Sequence, residues 1–164
     1  QKDHLTLLKS LKFIDPKVKP RLMIIGKGEN LEKLKKYTNV NNLKNIVKYV
    51  GHVNYPYGNI QSSQIVILTS KFEGLPNILI EAQFLKKYII STDCPTGPKE
   101  ILLNGLAGNL IKIGDFKKLA YLINNYHNNK KNIYKMINIA TENFSRFDHK
   151  INCEKYLNFV LNNF

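Results

Sequence analysis

The chain has 164 residues, 18.9 kDa of mass and 43% hydrophobic residues, which suits one compact domain with its own core. Its apolar runs, such as 65–68 and 88–90, fall far short of the roughly 20 residues that cross a bilayer, and no signal-peptide pattern is visible, so a soluble protein is expected. The net charge of +13 and pI near 9.7 favour an anionic partner, yet only Arg21 and Arg146 offer the guanidinium fork that reads bases, which argues against nucleic acid.

Short β-branched runs alternate with segments of helical period, the pattern of a parallel sheet flanked by helices, so the fold class is α/β. A helix is expected over 2–14, with either Leu5, Leu8 and Leu11 or Leu7, Leu11 and Ile14 inward, and Asp15-Pro16 ends it. Strand 21–26 (RLMIIG), helix 30–37 and strand 46–51 (IVKYVG) follow. Then come helix 55–62, strand 65–69, helix 76–86 opened by Pro76, and strand 88–91. A short helix at 98–103, an edge strand at 109–113 and a helix at 115–126 complete the alternation, and two helices at 131–144 and 150–163 form a tail.

The stretch 70–100, SKFEGLPNILIEAQFLKKYIISTDCPTGPKE, carries the chemistry. It leaves a strand and enters a helix, a turn that in an open α/β sheet lies at the carboxyl ends of the strands, where ligands bind. Gly74 permits close backbone approach. The amides of Asn77, Ile78 and Leu79 at the helix start, with the positive end of the helix dipole, make an anion site suited to a diphosphate. Glu81, about one and a half turns into that helix, leans back toward its start and can reach a ribose diol just beyond the phosphates. Carboxylates beside phosphates serve as hydrogen-bond acceptors from hydroxyls, which points to a sugar ligand.

The order SxxEGxPNxxxEA, IIS, TDCPTGPxEIL and NGxxGxLI before a GD-started helix resembles the C-terminal donor domain of the family 4 retaining glycosyltransferases, with Glu73 and Glu81 separated by seven residues. QKDHLTLL, RLMIIGKG and YVGHV are similar to the family's helix, its GxG turn and its base-binding loop, and the likeness runs to about Leu122. The resemblance implies a bacterial GT-B enzyme with a Rossmann-like sheet, binding a UDP- or GDP-sugar for cell-surface glycan or glycolipid synthesis. It places Glu73 by the transferred sugar as the catalytic residue, Glu81 on the ribose, the Gly74-Leu75-Pro76-Asn77-Ile78 turn and Lys2 on the diphosphate, and His52 or Val53 against the base through main chain. It also implies a diphosphate-binding arginine on a Gly-Arg strand ahead of Gln1, so RLMIIG and IVILTS should not pair directly and the 164 residues alone should be inactive. The acceptor then binds mainly to an N-terminal domain outside this chain.

The remaining features are weaker. GKGENL lacks the third glycine and the later acidic residue of a dinucleotide fingerprint. His4, His52, His127 and His149 show no metal spacing, so neither metal nor other cofactor is expected. Cys94 and Cys153 are too sparse for a disulfide scaffold, which fits a reducing, cytoplasmic compartment, and Cys94 is expected to pack a loop. The lysine excess has two readings, AT-rich codon composition or attraction to an acidic membrane surface. A non-catalytic nucleotide-sugar-binding module and a lysine-rich nucleic-acid-binding domain are the functional alternatives.

Overall fold

The computed structural model describes residues 1–163, in which five strands, all paired parallel, are combined with eight α-helices, the last of which buries no residue. The strands are β1 (Leu22–Ile25), β2 (Val47–Gly51), β3 (Ile65–Leu68), β4 (Tyr88–Thr92) and β5 (Asn109–Ile111). Helices α1 (His4–Ser10), α2 (Leu31–Val40), α3 (Tyr57–Ser62), α4 (Asn77–Phe84), α5 (Pro98–Ile101) and α6 (Phe116–Asn124) alternate with them, and α7 (Lys130–Glu142) and α8 (His149–Asn163) form the tail. This is the α/β, Rossmann-like arrangement expected, with the helical tail in place.

The first helix is shorter than its sequence pattern. After Ser10 the chain tightens into a 3-10 turn at Leu11–Phe13, and Asp15 caps a second such turn by accepting from the Lys17 amide. Leu7, Leu8, Leu11 and Ile14 are buried while Leu5 is 38% exposed, so the inward stripe is the one that runs through Leu7, Leu11 and Ile14. Helix α4 also differs at its start. Pro76 sits at the N-cap with extended backbone rather than inside the first turn, and Asn77 is the first helical residue.

Strand β4 is the centre of the larger sheet, between β3 and β5, and all five of its residues are buried. Its alternation feeds two cores. Tyr88 and Ile90 pack with Leu7, Leu8, Leu119 and Leu122 from α1 and α6, whereas Ile89 packs on the opposite face with Leu79 and Ala82 of α4 and with Ile101 and Leu102. At roughly 1.5–3 kcal/mol for each large apolar side chain taken from water, this strand is a main source of hydrophobic stabilisation. The tail is tied to α5 at Arg146, whose guanidinium donates to the carbonyls of Glu100 and Ile101 at the end of that helix and stacks over Phe147. Burial lowers its pKa from the usual arginine value.

The strands form two sheets, β1-β2 and β3-β4-β5. Among the described residues β1 and β3 do not pair, as expected for RLMIIG and IVILTS. The edges show it. Met23 on β1 is 40% exposed, and Ile65, Val66 and Ile67 of β3 are only half-buried, unlike the fully buried β4. One core cluster nevertheless includes Ile24 and Val47 of the first sheet and Ile90 and Ile111 of the second, so α1 and α6 bridge the two. The backbone left unpaired on β1 and on β3 is a stability deficit that a strand inserted between them corrects. A protein extended upstream of Gln1 by about 10–15 residues, the length of one strand and its loop, should melt at higher temperature than residues 1–164 alone; calorimetry giving equal melting temperatures would show that no strand belongs there.

Candidate functional site

Parallel pairing brings the carboxyl ends of β3 and β4 together, since Leu68 lies opposite Ser91. The loops that leave these ends are then cross-linked. Thr92 donates its hydroxyl to the Ser70 carbonyl, Thr96 donates to the Glu73 carbonyl, and the Glu73 amide points at the Pro95 carbonyl, 3.5 Å away. Gly97 completes the contact with φ of +59°. A Cβ there would overlap the Gly74 carbonyl and come within 2.6 Å of Pro76 Cδ, so only glycine lets the two loops close on each other.

The turn so held carries Glu73. Its side chain is 6% exposed, and its Oε1 accepts from Lys2 Nζ at 2.6 Å and from the Ser70 hydroxyl at 2.5 Å. Lys2 reaches it because the N-terminal residues lie against the end of β3. The Thr69 hydroxyl donates to the Lys2 carbonyl at 3.0 Å, the Lys71 amide donates to the Gln1 carbonyl at 2.9 Å, and the Gln1 side chain donates to the Phe72 carbonyl. The Lys2 side chain remains 48% exposed, with ammonium protons to spare for a ligand. Next to it, burial and then the Lys2 charge push the His4 imidazole below its ordinary pKa.

At the start of α4 the amides of Asn77 and Ile78 have no acceptor among the described residues, as an anion site requires. Leu79 is a correction. Its amide donates to the Pro76 carbonyl at 2.9 Å, because the extended N-cap at Pro76 lets the first turn close on itself. Leu75 is exposed and Pro76 is buried under the loop of Gly97. Glu81 stands at the fifth position of α4, half-buried and with no hydrogen-bond partner among the described residues, so its carboxylate is an unused acceptor.

His52 and Val53 lie just past β2, on the smaller sheet, the imidazole exposed and the valine half-buried. The Gly26 amide donates to the Gly51 carbonyl at 2.7 Å, which joins the GKG turn to the GHV loop at the carboxyl end of that sheet. Among the described residues no hydrogen bond links this loop to the Lys2-Glu73 pair. Cys94 packs a loop, 3% exposed, and burial followed by the nearby Glu73 and Asp93 carboxylates raises its thiol pKa. Among the described residues no three His, Cys, Asp or Glu side chains gather as a metal-ligand cluster.

Sequence reasoning passed over Ser70, Thr92, Thr96 and Gly97 as site residues. Ser70 had a signal, since a hydroxyl three residues before a glutamate across a tight turn can fold back on the carboxylate. Thr96 and Gly97 had none beyond the turn chemistry of TGP, because their partner lies in a loop more than twenty residues away.

Residues 1–143 match the family described as Glycosyl transferases group 1. An uncharacterized glycosyltransferase from Methanocaldococcus jannaschii is 41% identical over 103 residues, 62% of this chain and 25% of that protein. The lipopolysaccharide 1,6-galactosyltransferase of Escherichia coli K12 is 32% identical over 110 residues, 65% of this chain and 31% of that protein. The chain thus spans about a quarter to a third of the length of these relatives. Among solved structures, Anabaena HepE in complex with UDP superposes over 99% of this chain and 46% of its own, with a TM-score of 0.86 and 18% identity, a likeness of fold. With a motif match over most of its length and the fold to go with it, the chain belongs to the group 1 glycosyl transferases.

Proposed function

We propose that the chain is the donor-binding, C-terminal half of a retaining family 4 glycosyltransferase of GT-B architecture, which moves a hexose-type sugar from UDP or GDP to a hydroxyl acceptor in cell-surface glycan synthesis. The observation that carries this reading is the conjunction of one buried, half-satisfied carboxylate at Glu73, the free Asn77 and Ile78 amides four and five residues on in the same turn, and the exposed ammonium of Lys2. Anion donors and a hydroxyl acceptor lie together, as a sugar diphosphate demands. The galactosyltransferase relative and the UDP complex of a similar fold support the same donor class.

As the glycosidic bond breaks, negative charge grows on the diphosphate, and the helix-start amides and Lys2 stabilise it without reorganising. These donors take the part that a divalent cation plays elsewhere, so the reading needs neither metal nor cofactor. Glu73 accepts from the transferred sugar, Glu81 from the ribose, and main chain at His52 or Val53 meets the base. An N-terminal domain supplies the acceptor, and residues 1–164 alone are inactive. The enzyme works in the cytoplasm, with lysines available to the acidic face of the membrane.

Calorimetry on the full-length protein should detect selective UDP or GDP binding, weaker for residues 1–164 alone. No preference over adenosine diphosphate, together with binding that collapses with salt, would instead favour the nucleic-acid reading. The two glutamates should fail differently. Glu81→Gln should weaken nucleotide affinity about tenfold, and Glu73→Gln should leave affinity in place and lower kcat by at least about tenfold. Matching defects, or wild-type kinetics in either variant, would remove these roles. For the membrane, the protein should sediment with vesicles containing anionic lipid and be released as salt rises. Equal sedimentation with neutral vesicles would leave codon composition as the reason for the lysines.

A further inference from the structure

Glu73 has two carboxylate oxygens, and the structure treats them unequally. Oε1 takes both the Lys2 ammonium and the Ser70 hydroxyl, at 2.6 and 2.5 Å. Oε2 accepts from no described residue and is not among the buried atoms left without a partner, so it is the oxygen open to solvent and ligand. Ser70 itself has no freedom. It is fully buried, its carbonyl is held by the Thr92 hydroxyl, and Thr92 is fully buried in turn. A side chain anchored in this way fixes the plane of the carboxylate beside it.

Resting on the donor reading above, we propose that Ser70 is a positioning residue for sugar transfer: its hydroxyl holds Oε1 of Glu73 so that Oε2 faces the transferred sugar. Lys2 cannot do this alone. Its side chain is 48% exposed, long and flexible, with ammonium protons to spare, so an arriving diphosphate competes with Glu73 for them. Ser70 is uncharged and buried, and a diphosphate neither attracts nor reaches it. The serine therefore keeps Glu73 oriented while Lys2 turns toward the phosphates. Lys2 in turn separates the carboxylate from the anion, and Ser70 leaves that charge balance unchanged.

The test uses the full-length protein with UDP-glucose, UDP-galactose and GDP-mannose as donors. It follows release of UDP or GDP to water, so that no acceptor has to be known. Ser70→Ala should lower kcat roughly 10- to 100-fold, as expected for loss of a hydrogen bond to a charged group, with little change in KM or in UDP affinity by calorimetry. Ser70→Cys, close in volume but a weak donor, should behave alike, and Ser70→Thr, which retains the hydroxyl, should recover rate relative to both. The decisive comparison is a double-mutant cycle, in which Ser70→Ala made on Glu73→Ala causes no further loss. If it lowers the rate there as much as in the wild type, or if Ser70→Ala and Ser70→Cys both turn over normally, the inference is wrong. A wild-type protein that binds no nucleotide and releases none from any donor overturns the donor reading itself, and this inference with it.

Discussion

Two loops occupy one space at the carboxyl ends of β3 and β4, and a residue without a side chain is what allows it. Parallel strands lie about 4.8 Å apart, and here the loops that continue them stay in contact instead of diverging. Gly97 meets the Gly74 carbonyl and the Pro76 ring with no room for a Cβ. Thr96, just before it, adopts a positive φ of 60°, a conformation that costs a non-glycine residue roughly 1 kcal/mol. That cost is offset by its hydroxyl, which pins the Glu73 carbonyl. The direction of α4 follows from this contact, because Pro76 at its N-cap is seated on Gly97. So does the position of Glu73, one residue ahead of Gly74.

Placing a carboxylate in such a turn raises an electrostatic problem. A side chain only 6% exposed has lost most of its hydration, and an unpaired charge in that state is strongly unfavourable. Lys2 and Ser70 resolve it at one oxygen and leave the other without a partner among the described residues. The lysine also neutralises the carboxylate that stands four residues ahead of the open start of α4. In a chain of net charge +13, this one ion pair has a geometry that the scattered surface lysines lack. A second ion pair among the described residues, Lys35 with Glu32 on α2, joins two exposed side chains and contributes little.

Much of this was legible from the order of residues. Strand β4 was legible because the short apolar run at 88–91 falls between a helix and a turn-rich stretch in a chain whose elements alternate as in a parallel sheet, and the switch to helix at Pro76 located the turn at the carboxyl end of β3. The separation of β1 from β3 followed from resemblance to a known sheet order, since periodicity says nothing about which strands pair. Other features depended on contacts that local sequence does not encode. The unwinding of α1 after Ser10 reflects packing of Leu11 and Ile14 in the core, where the burial of both side chains outweighs the helical propensity of the segment. The loss of Leu79 as a free amide comes from the N-cap conformation of Pro76, and the seating of that proline depends on Gly97, more than twenty residues later. Ser70 was visible as a letter of the motif but silent as a role, because its meaning lies in which oxygen of Glu73 it touches.

The site and the divided sheet share a boundary. Residues 1 and 2 are held by hydrogen bonds to Thr69, Lys71 and Phe72, the residues that continue β3, and β3 is the strand whose second edge is unpaired. Lys2 therefore takes its position from the same strand that borders the gap. α1 follows immediately, and its Leu7 and Leu8 belong to the core cluster that holds both sheets together. Only Asp3 separates Lys2 from α1, so the lysine is tied by backbone to both the end of β3 and α1. Ser70, by contrast, is fixed from the β4 side through Thr92. The two donors on Oε1 are thus anchored differently, the serine from β4 through Thr92 and the lysine through backbone contacts to the end of β3 and the start of α1. A change confined to the gap should disturb the lysine contact first and leave the serine contact standing.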